Sequence, residues 1–518
     1  GLVCAIILIM TLNKRIALDS IKTTSVTFAV QAFSFVVSAV IAALYGATGN
    51  TDSYFYALSL VLIFTTGISG ILKSVFMPVF LRFKKELPKE ENEMLGSFYF
   101  YFGVSLFVVW LLFVAVSYAL TFVLHFKLGG IEPIILGKLL IEMSFLVILT
   151  GFVECYSTVY NSYQRFIVPL VTPLIRSLIF IGFVFATRKV LGVESLGIGN
   201  VVGEFVQLTI LAGALRSAKI FLGFKFSLHP AVIRMAKIAI PPFLSNALTR
   251  VNTLVDSTFI APLLIGGVTI LNYSSKISGI PEMLLTGAFL TVILSHWSLS
   301  RAENGVGSVG DSLKKVLLVL GFIFIPVVSF MYFLRVPLVQ IMYQRKNFTY
   351  ELSISTAQFL GVYLVGILPL ILGRVLTRAF LVMEDTWTPF WVGNFRFVLN
   401  IILDFLFIKI MGVIGIPLST TVTSFAMFTF MYFMLRRRVR LQGEFIMALD
   451  YFKMLVSGLL SGLMVLWLYN MIIRTVGSNF IGMVESLVAS CFVGVGLYLA
   501  VNCAVRSESV RLLKELKP

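Results

Sequence analysis

The stretch Pro389-Phe-Trp-Val-Gly-Asn-Phe-Arg396, continued as FVLNIILDFLFIKIMGVIG to Gly415, decides the fold. Between Pro389 and Ile410 only Arg396, Asp404 and Lys409 are charged. The run has the length of roughly 20 residues that a helix needs to cross the hydrocarbon with every backbone group satisfied internally. The same pattern occurs once more upstream. Pro169, Arg176, Gly192 and Gly197 repeat the order of Pro389, Arg396, Gly412 and Gly415, with the first two intervals identical and the third differing by two residues. Tyr56 and Gly70 can likewise be laid over Tyr273 and Gly287. Proline, arginine and glycine positions are not interchangeable apolar letters, so the match marks an internal repeat.

Working outward, apolar runs of this kind predict helices over 24–46, 54–81, 95–124, 134–161, 166–187, 197–217, 231–261, 268–296, 313–333, 354–383, 389–410, 413–436, 452–473 and 481–505. Six helices separate equivalent positions, and an even number gives the two halves the same orientation. The expected architecture is an all-α polytopic membrane protein of about fourteen transmembrane helices, built as two parallel-repeat six-helix lobes plus a terminal helix pair. The lobes are expected at 24–217 and 231–436, the terminal pair at 452–505, a cytoplasmic stub at 1–23 and a cytoplasmic tail at 506–518. A substrate path is expected between the lobes.

Composition agrees. The chain has 518 residues, 58% of them hydrophobic and 13% charged, with mean hydropathy +0.98, where soluble chains carry about 25% charged residues. Alternating strands are absent, which excludes a β-barrel. The net charge of +17 does not point to nucleic acid, because the cations sit at helix ends. Lys14, Arg15 and Lys22 precede the first predicted span, Arg82, Lys84, Lys85 and Lys89 follow the second, Arg436, Arg437, Arg438 and Arg440 follow the twelfth, and Arg506, Arg511, Lys514 and Lys517 close the chain. With the amino terminus inside, roughly 26 Lys/Arg fall on that side against about 9 on the other, the positive-inside pattern. Both termini are therefore expected in the cytoplasm. Met10, followed by Thr11-Leu12-Asn13-Lys14-Arg15, is the expected start.

No enzyme chemistry is visible. Cys4, Cys155, Cys491 and Cys503 are scattered, and His125, His229 and His296 lie in separate segments without ligand spacing. Gly197-Ile-Gly-Asn-Val-Val-Gly203 departs by one residue from the dinucleotide fingerprint and reads as a close-packing helix face. The chemistry lies instead in charges within the spans: Lys73, Arg176, Arg250, Lys276, Arg374 and Arg396 against Glu142, Glu154, Glu204, Asp256, Glu282, Asp404 and Glu485. A charge at the bilayer centre costs about 2.5–3.5 kcal/mol even on the lenient scale, so these groups must face one another or water. Arg176 and Arg396, at repeat-equivalent positions, are expected to hydrogen-bond within their own bundles.

Several stretches resemble the MurJ/MviN lipid II flippase family, within the multidrug/oligosaccharidyl-lipid/polysaccharide exporter superfamily. They are Tyr45-Gly46-Ala47, Thr51-Asp52-Ser53-Tyr54-Phe55 and Val75-Phe76-Met77-Pro78-Val79-Phe80; Val251-Asn252-Thr253-Leu254-Val255-Asp256 and Leu271-Asn272-Tyr273-Ser274-Ser275-Lys276; and Arg378-Ala379-Phe380, Glu384-Asp385-Thr386-Trp387-Thr388-Pro389 and Gly412-Val413-Ile414-Gly415. The resemblance implies two lobes around a cationic cavity, a polyprenyl groove beside the last two helices, and a multi-pass protein of the bacterial cytoplasmic membrane. It also implies outward transfer of an undecaprenyl-diphosphate-linked glycan by alternating access. The family's arginines in the first two helices are replaced here: the first-helix positions read Gln31, Val37 and Ser38, and the second-helix region reads Phe64-Thr65-Thr66. The eighth-helix cation is Lys276. Lysine is a point charge without the bidentate fork of arginine. Either Arg250, Lys276 and Lys73, with Gln31, form a rearranged pyrophosphate site, or the headgroup differs from that of lipid II. An exporter of a soluble or amphipathic small molecule on the same fold is the alternative.

Energy coupling is expected through Na+. Asn400 and Asp404 are four residues apart and share a helix face. Thr420 lies as far beyond Gly412 as Asp404 lies before it, so a hairpin turning near Gly412 brings the two to equal depth. Ile416, one turn before Thr420, can lend its carbonyl, and Asp256 completes the set. These five positions match the sodium-site pattern of the resembled family. The alternative is that Asp404 and Asp256 share a proton or pair with an arginine. The equivalents of Asn400 and Asp404 in the first half are Phe180 and Val184, which cannot bind a cation.

Overall fold

The computed structural model describes residues 14–123, 129–286, 297, 306–439 and 443–515. The expected start at Met10, the repeat position Gly287 and the second part of the eighth predicted span lie outside the described residues. All regular elements among the described residues are helical. Eleven helical segments are long and apolar enough to cross a membrane, one of them running from Trp387 to Arg436 through the turn at Gly412. The chain is a multi-pass membrane protein, and helix occurs at each of the fourteen predicted positions.

Residues 25–269 form one compact unit. It holds α1 (Lys14–Tyr45), from Ser25 onward, α2 (Gly49–Ile71), α3 (Met77–Glu86), α4 (Glu91–Tyr118), α5 (Pro133–Ser162), α6 (Ile167–Leu191), α7 (Glu194–Ser217) and α8 (Pro230–Ile260). A capping box starts α2: the Thr48 side chain accepts the N–H of Thr51, and Thr51 Oγ1 accepts the N–H of Thr48 at 2.8 Å. Asp52, in the first turn and fully buried, accepts the Thr269 N–H at 2.8 Å and its hydroxyl at 2.7 Å. Between α2 and α3 the chain makes a π-helical turn, Leu72–Phe76. Pro78 explains it: without an N–H it cannot donate back to Ser74, and Met77 donates instead to Leu72, five residues earlier. Helix α8, in this unit, packs against α2. A Cβ at Gly67 would lie 2.6 Å from the Phe243 ring and one at Gly70 2.3 Å from Asn246 Nδ2, so the two glycines admit the close approach.

The second unit comprises residues 270–518 with residues up to Thr24. It contains α9 (Gly267–Ser278) from Ile270, α10 (Ile280–Thr286), α11 (Val306–Phe333), α12 (Arg335–Tyr343), α13 (Tyr350–Val382), α14 (Trp387–Met411), α15 (Gly415–Arg436), α16 (Glu444–Val476), α17 (Phe480–Ala504) and α18 (Glu508–Glu515). Its core gathers Leu317, Ile371, Val375, Leu376, Phe380 and Met431 around α13. The terminal pair α16–α17 docks through small residues: a Cβ on Gly458 would meet Ile325 at 2.7 Å, and one on Gly462 would meet Phe333 at 2.4 Å. Its outer faces expose Phe445, Trp467 and Phe492, as lipid-facing helices do. Buried Asp450 holds α18 by accepting the N–H groups of Glu508 and Ser509 at 2.9 and 3.1 Å.

The repeat is written in the backbone. Helices α6 and α14 are both 25 residues long. Each is preceded by a residue in the left-handed region, Gln164 (φ 58°) or Glu384 (φ 62°), 220 positions apart as 384 − 164. Each ends on a glycine of matching conformation, Gly192 (φ 56°, ψ −133°) or Gly412 (φ 63°, ψ −142°), a region open essentially to glycine alone.

Candidate functional site

The polar centre of the second unit sits on the α14–α15 hairpin. Asn400 and Asp404 project from α14 on one face, 2% and 0% exposed, because their four-residue spacing places them one turn apart. Gly412 reverses the chain, and the first turns of α15 bring Ile416, Ser419 and Thr420 to the same level. Ser419 Oγ accepts the Asn400 amide at 3.1 Å, hydrogen-bonds the Asp404 carboxylate, and lies 2.7 Å from the Ile416 carbonyl. Sequence reasoning reached Thr420 by counting depth from Gly412 and missed Ser419, one residue earlier. The run Ser419-Thr420-Thr421 was the available signal. Asn400 Oδ1 and Thr420 Oγ1 are buried and accept no hydrogen bond from protein. A buried oxygen left in this way loses its water without replacement, at about 1–3 kcal/mol each. Oxygens of amide, carboxylate, hydroxyl and carbonyl type are the donor set of hard cations, and the residues present fit such an ion. Asp256, 6% exposed on α8, belongs to the other compact unit.

In the first unit the equivalent hairpin is α6–α7, and its centre is occupied by protein. Arg176 Nε lies 2.9 Å from Glu204 Oε2, and its Nη2 donates to Asn200 Oδ1 at 3.2 Å. Asn200 in turn donates to the Tyr54 hydroxyl at 2.8 Å, and Gln207 donates to Thr172 at 3.3 Å. The expectation that Arg176 bonds within its own bundle holds. Arg396, in the second unit, donates to the Met427 sulfur at 3.9 Å, also within its bundle. Phe180 and Val184, the positions equivalent to Asn400 and Asp404, are buried and apolar.

Of the residues expected to bind an anion, Lys73 lies in the π-helical turn, largely exposed, with Nζ 3.5 Å from Glu154 Oε2. Gln31 is half-buried on α1 and Arg250 is exposed on α8. Lys276 is half-buried on α9, three residues after Tyr273, whose ring stacks on that of Tyr343. Glu282, a conceivable partner for Arg250, instead pairs with Arg374. The two are 92 residues apart in sequence, as 374 − 282, and no local pattern announces the pair.

Comparison with known proteins follows the same lines. Residues 41–485 match the family model described as lipid II flippase MurJ. A probable lipid II flippase MurJ of Vibrio cholerae is 24% identical over 450 residues, covering 84% of this chain and 85% of that protein. The probable lipid II flippase MurJ of Thermotoga maritima is 27% identical over 405 residues, covering 76% and 80%. Among solved structures, a lipid II flippase MurJ in an inward closed conformation aligns with TM-score 0.75 at 21% identity, over 95% of this chain and all of that one. A multidrug resistance MATE family transporter of the MOP superfamily aligns with TM-score 0.63 at 12% identity, over 80% of this chain and 98% of that one. These likenesses establish the fold.

Proposed function

We propose that this chain, which belongs to the lipid II flippase MurJ family, moves an undecaprenyl-diphosphate-linked glycan, lipid II or a related envelope precursor, from the cytoplasmic to the outer leaflet of a bacterial cytoplasmic membrane. It is a transporter, not an enzyme. The observation that carries this reading is the family match, which spans residues 41–485 and so takes in most of both units. Transport proceeds by alternating access, with both termini on the cytoplasmic side, where the basic residues concentrate. Lys73, Arg250 and Lys276 each engage the diphosphate at some stage of the transfer, and Gln31 offers it a neutral donor. Charge-assisted hydrogen bonds of this kind contribute about 1.5–3 kcal/mol each.

Coupling is to Na+, held by the oxygens of Asn400, Asp404 and Thr420 and the Ile416 carbonyl. A bound ion would place positive charge beside the deeply buried Asp404 carboxylate. Asn400 orients its amide through Ser419, which leaves Oδ1 to face the ion. The test is rescue of a bacterium depleted of its own lipid II flippase. Growth restored by this chain supports the reading. The presence of Gln31, Val37 and Ser38 where the family carries arginine favours a second reading, a cation-coupled exporter of amphipathic small molecules. Failed rescue together with sodium-dependent extrusion of a cationic dye would decide for it.

A further inference from the structure

An ion pair in the first unit has the placement of a switch. Lys73 is 66% exposed and Glu154 30% exposed, and Nζ lies 3.5 Å from Oε2. Ser69, one turn before Lys73 on the same face, donates to that same carboxylate oxygen at 3.1 Å. Two charges left this open on a membrane-spanning unit face water, since lipid cannot solvate them. Their depth follows from helix rise: Lys73 is 24 residues from the start of α2 and Glu154 is 21 residues from the start of α5, about 36 and 32 Å at roughly 1.5 Å per residue. Both therefore lie about one hydrocarbon thickness from the Gly49 and Pro133 ends, on the side that the basic residues assign to the cytoplasm. The π-helical turn forced by Pro78 adds a residue to the helical turn that carries Lys73, a distortion common at functional sites.

We infer that Glu154 is a specificity-determining counter-ion: it holds Lys73 until a multiply charged phosphate headgroup takes its place, and recovers Lys73 when that group moves on. The inference rests on the flippase reading above. A single carboxylate anchored by one hydroxyl competes well against a singly charged anion and poorly against a diphosphate, whose several oxygens bring more charge to the ammonium. Glu154 thus admits diphosphates, turns away monoanionic headgroups, and keeps Lys73 from holding its cargo too tightly.

The test measures two quantities on the full chain: binding of inorganic pyrophosphate to the solubilised protein, and lipid II flipping in proteoliposomes. Glu154→Gln is expected to bind pyrophosphate about 2- to 5-fold tighter than the unaltered chain, the range that about 0.4–1 kcal/mol of released pairing gives. In flipping it lowers KM and also lowers the saturated rate, because release slows. Lys73→Ala weakens pyrophosphate binding, and the double variant Lys73→Ala/Glu154→Gln binds as Lys73→Ala does. Binding by Glu154→Gln that is no tighter than that of the unaltered chain overturns the switch, as does an equal tightening in the Lys73→Ala background, which would be a general charge effect. An unaltered chain that flips no lipid II refutes the flippase reading, and the pyrophosphate series still decides the switch.

Discussion

Helices α6 and α14 share length, register and terminal glycine geometry, yet the polar centres of their hairpins are completed in different ways. In the first, the cation is a side chain: Arg176 is tied to Glu204 and Asn200. In the second, Asp404 and Asn400 stand where the first has Val184 and Phe180, and two buried oxygens there accept nothing from protein. A covalently tethered charge cannot leave, so the first centre is a fixed strut. A centre built of oxygens can gain and lose a mobile ion, which is what the proposed coupling requires of the second.

The largest expected effect comes from removing the acid of the mobile centre. Asp404→Ala should reduce growth rescue of a flippase-depleted strain by about 100-fold, toward the upper end of what loss of an ion-site group costs. Val184→Ala, the equivalent change in the fixed hairpin, should leave rescue intact. Equal loss in both would erase the distinction. Next is Arg176→Gln. Glu204 is 1% exposed, and stripped of its partner it becomes an uncompensated buried carboxylate. Breaking such a pair costs about 3–5 kcal/mol in full burial, here about 2–3 kcal/mol because the arginine side chain is 35% exposed. Thermal unfolding of the solubilised protein should show a fall of several degrees, partly recovered in Arg176→Gln/Glu204→Gln.

Much of this was legible in the sequence. The all-helical multi-pass architecture, the repeat and the Asn400/Asp404 face follow from apolar run length, from the positions of Pro169, Pro389 and the two arginines, and from helix periodicity. What escaped notice depends on long-range packing. The Arg374–Glu282 pair, the docking of α8 on the Gly67/Gly70 face and the bridging role of Ser419 arise from side chains meeting across turns. The π-helical turn was half legible, since Pro78 was in view but its effect on Lys73 appears only once the helix is seen to continue past it.

A smaller and symmetric effect sharpens the comparison from the backbone side. Gly192→Ala and Gly412→Ala should each cost about 1–3 kcal/mol, because a side chain is strained at those dihedral angles although open space surrounds both positions. Matched losses in thermal stability would confirm the shared geometry, and a loss at one alone would break it. The smallest difference lies at the helix starts. Asp385 accepts the Thr388 N–H at 2.9 Å and pairs with Arg438 at 2.6 Å, so Asp385→Ala should cost about 1 kcal/mol. Exposed Arg165, its equivalent before α6, should be replaceable by alanine within about 0.5 kcal/mol by the same unfolding assay.

The central claim, that an ion enters one hairpin and drives lipid transfer, is tested most directly in sealed proteoliposomes carrying lipid II, with flipping followed under an imposed sodium gradient and under a matched potassium gradient. The expected result is flipping that requires sodium in the unaltered chain and is absent in Asp404→Asn. Flipping that proceeds equally in potassium and persists in Asp404→Asn would contradict it.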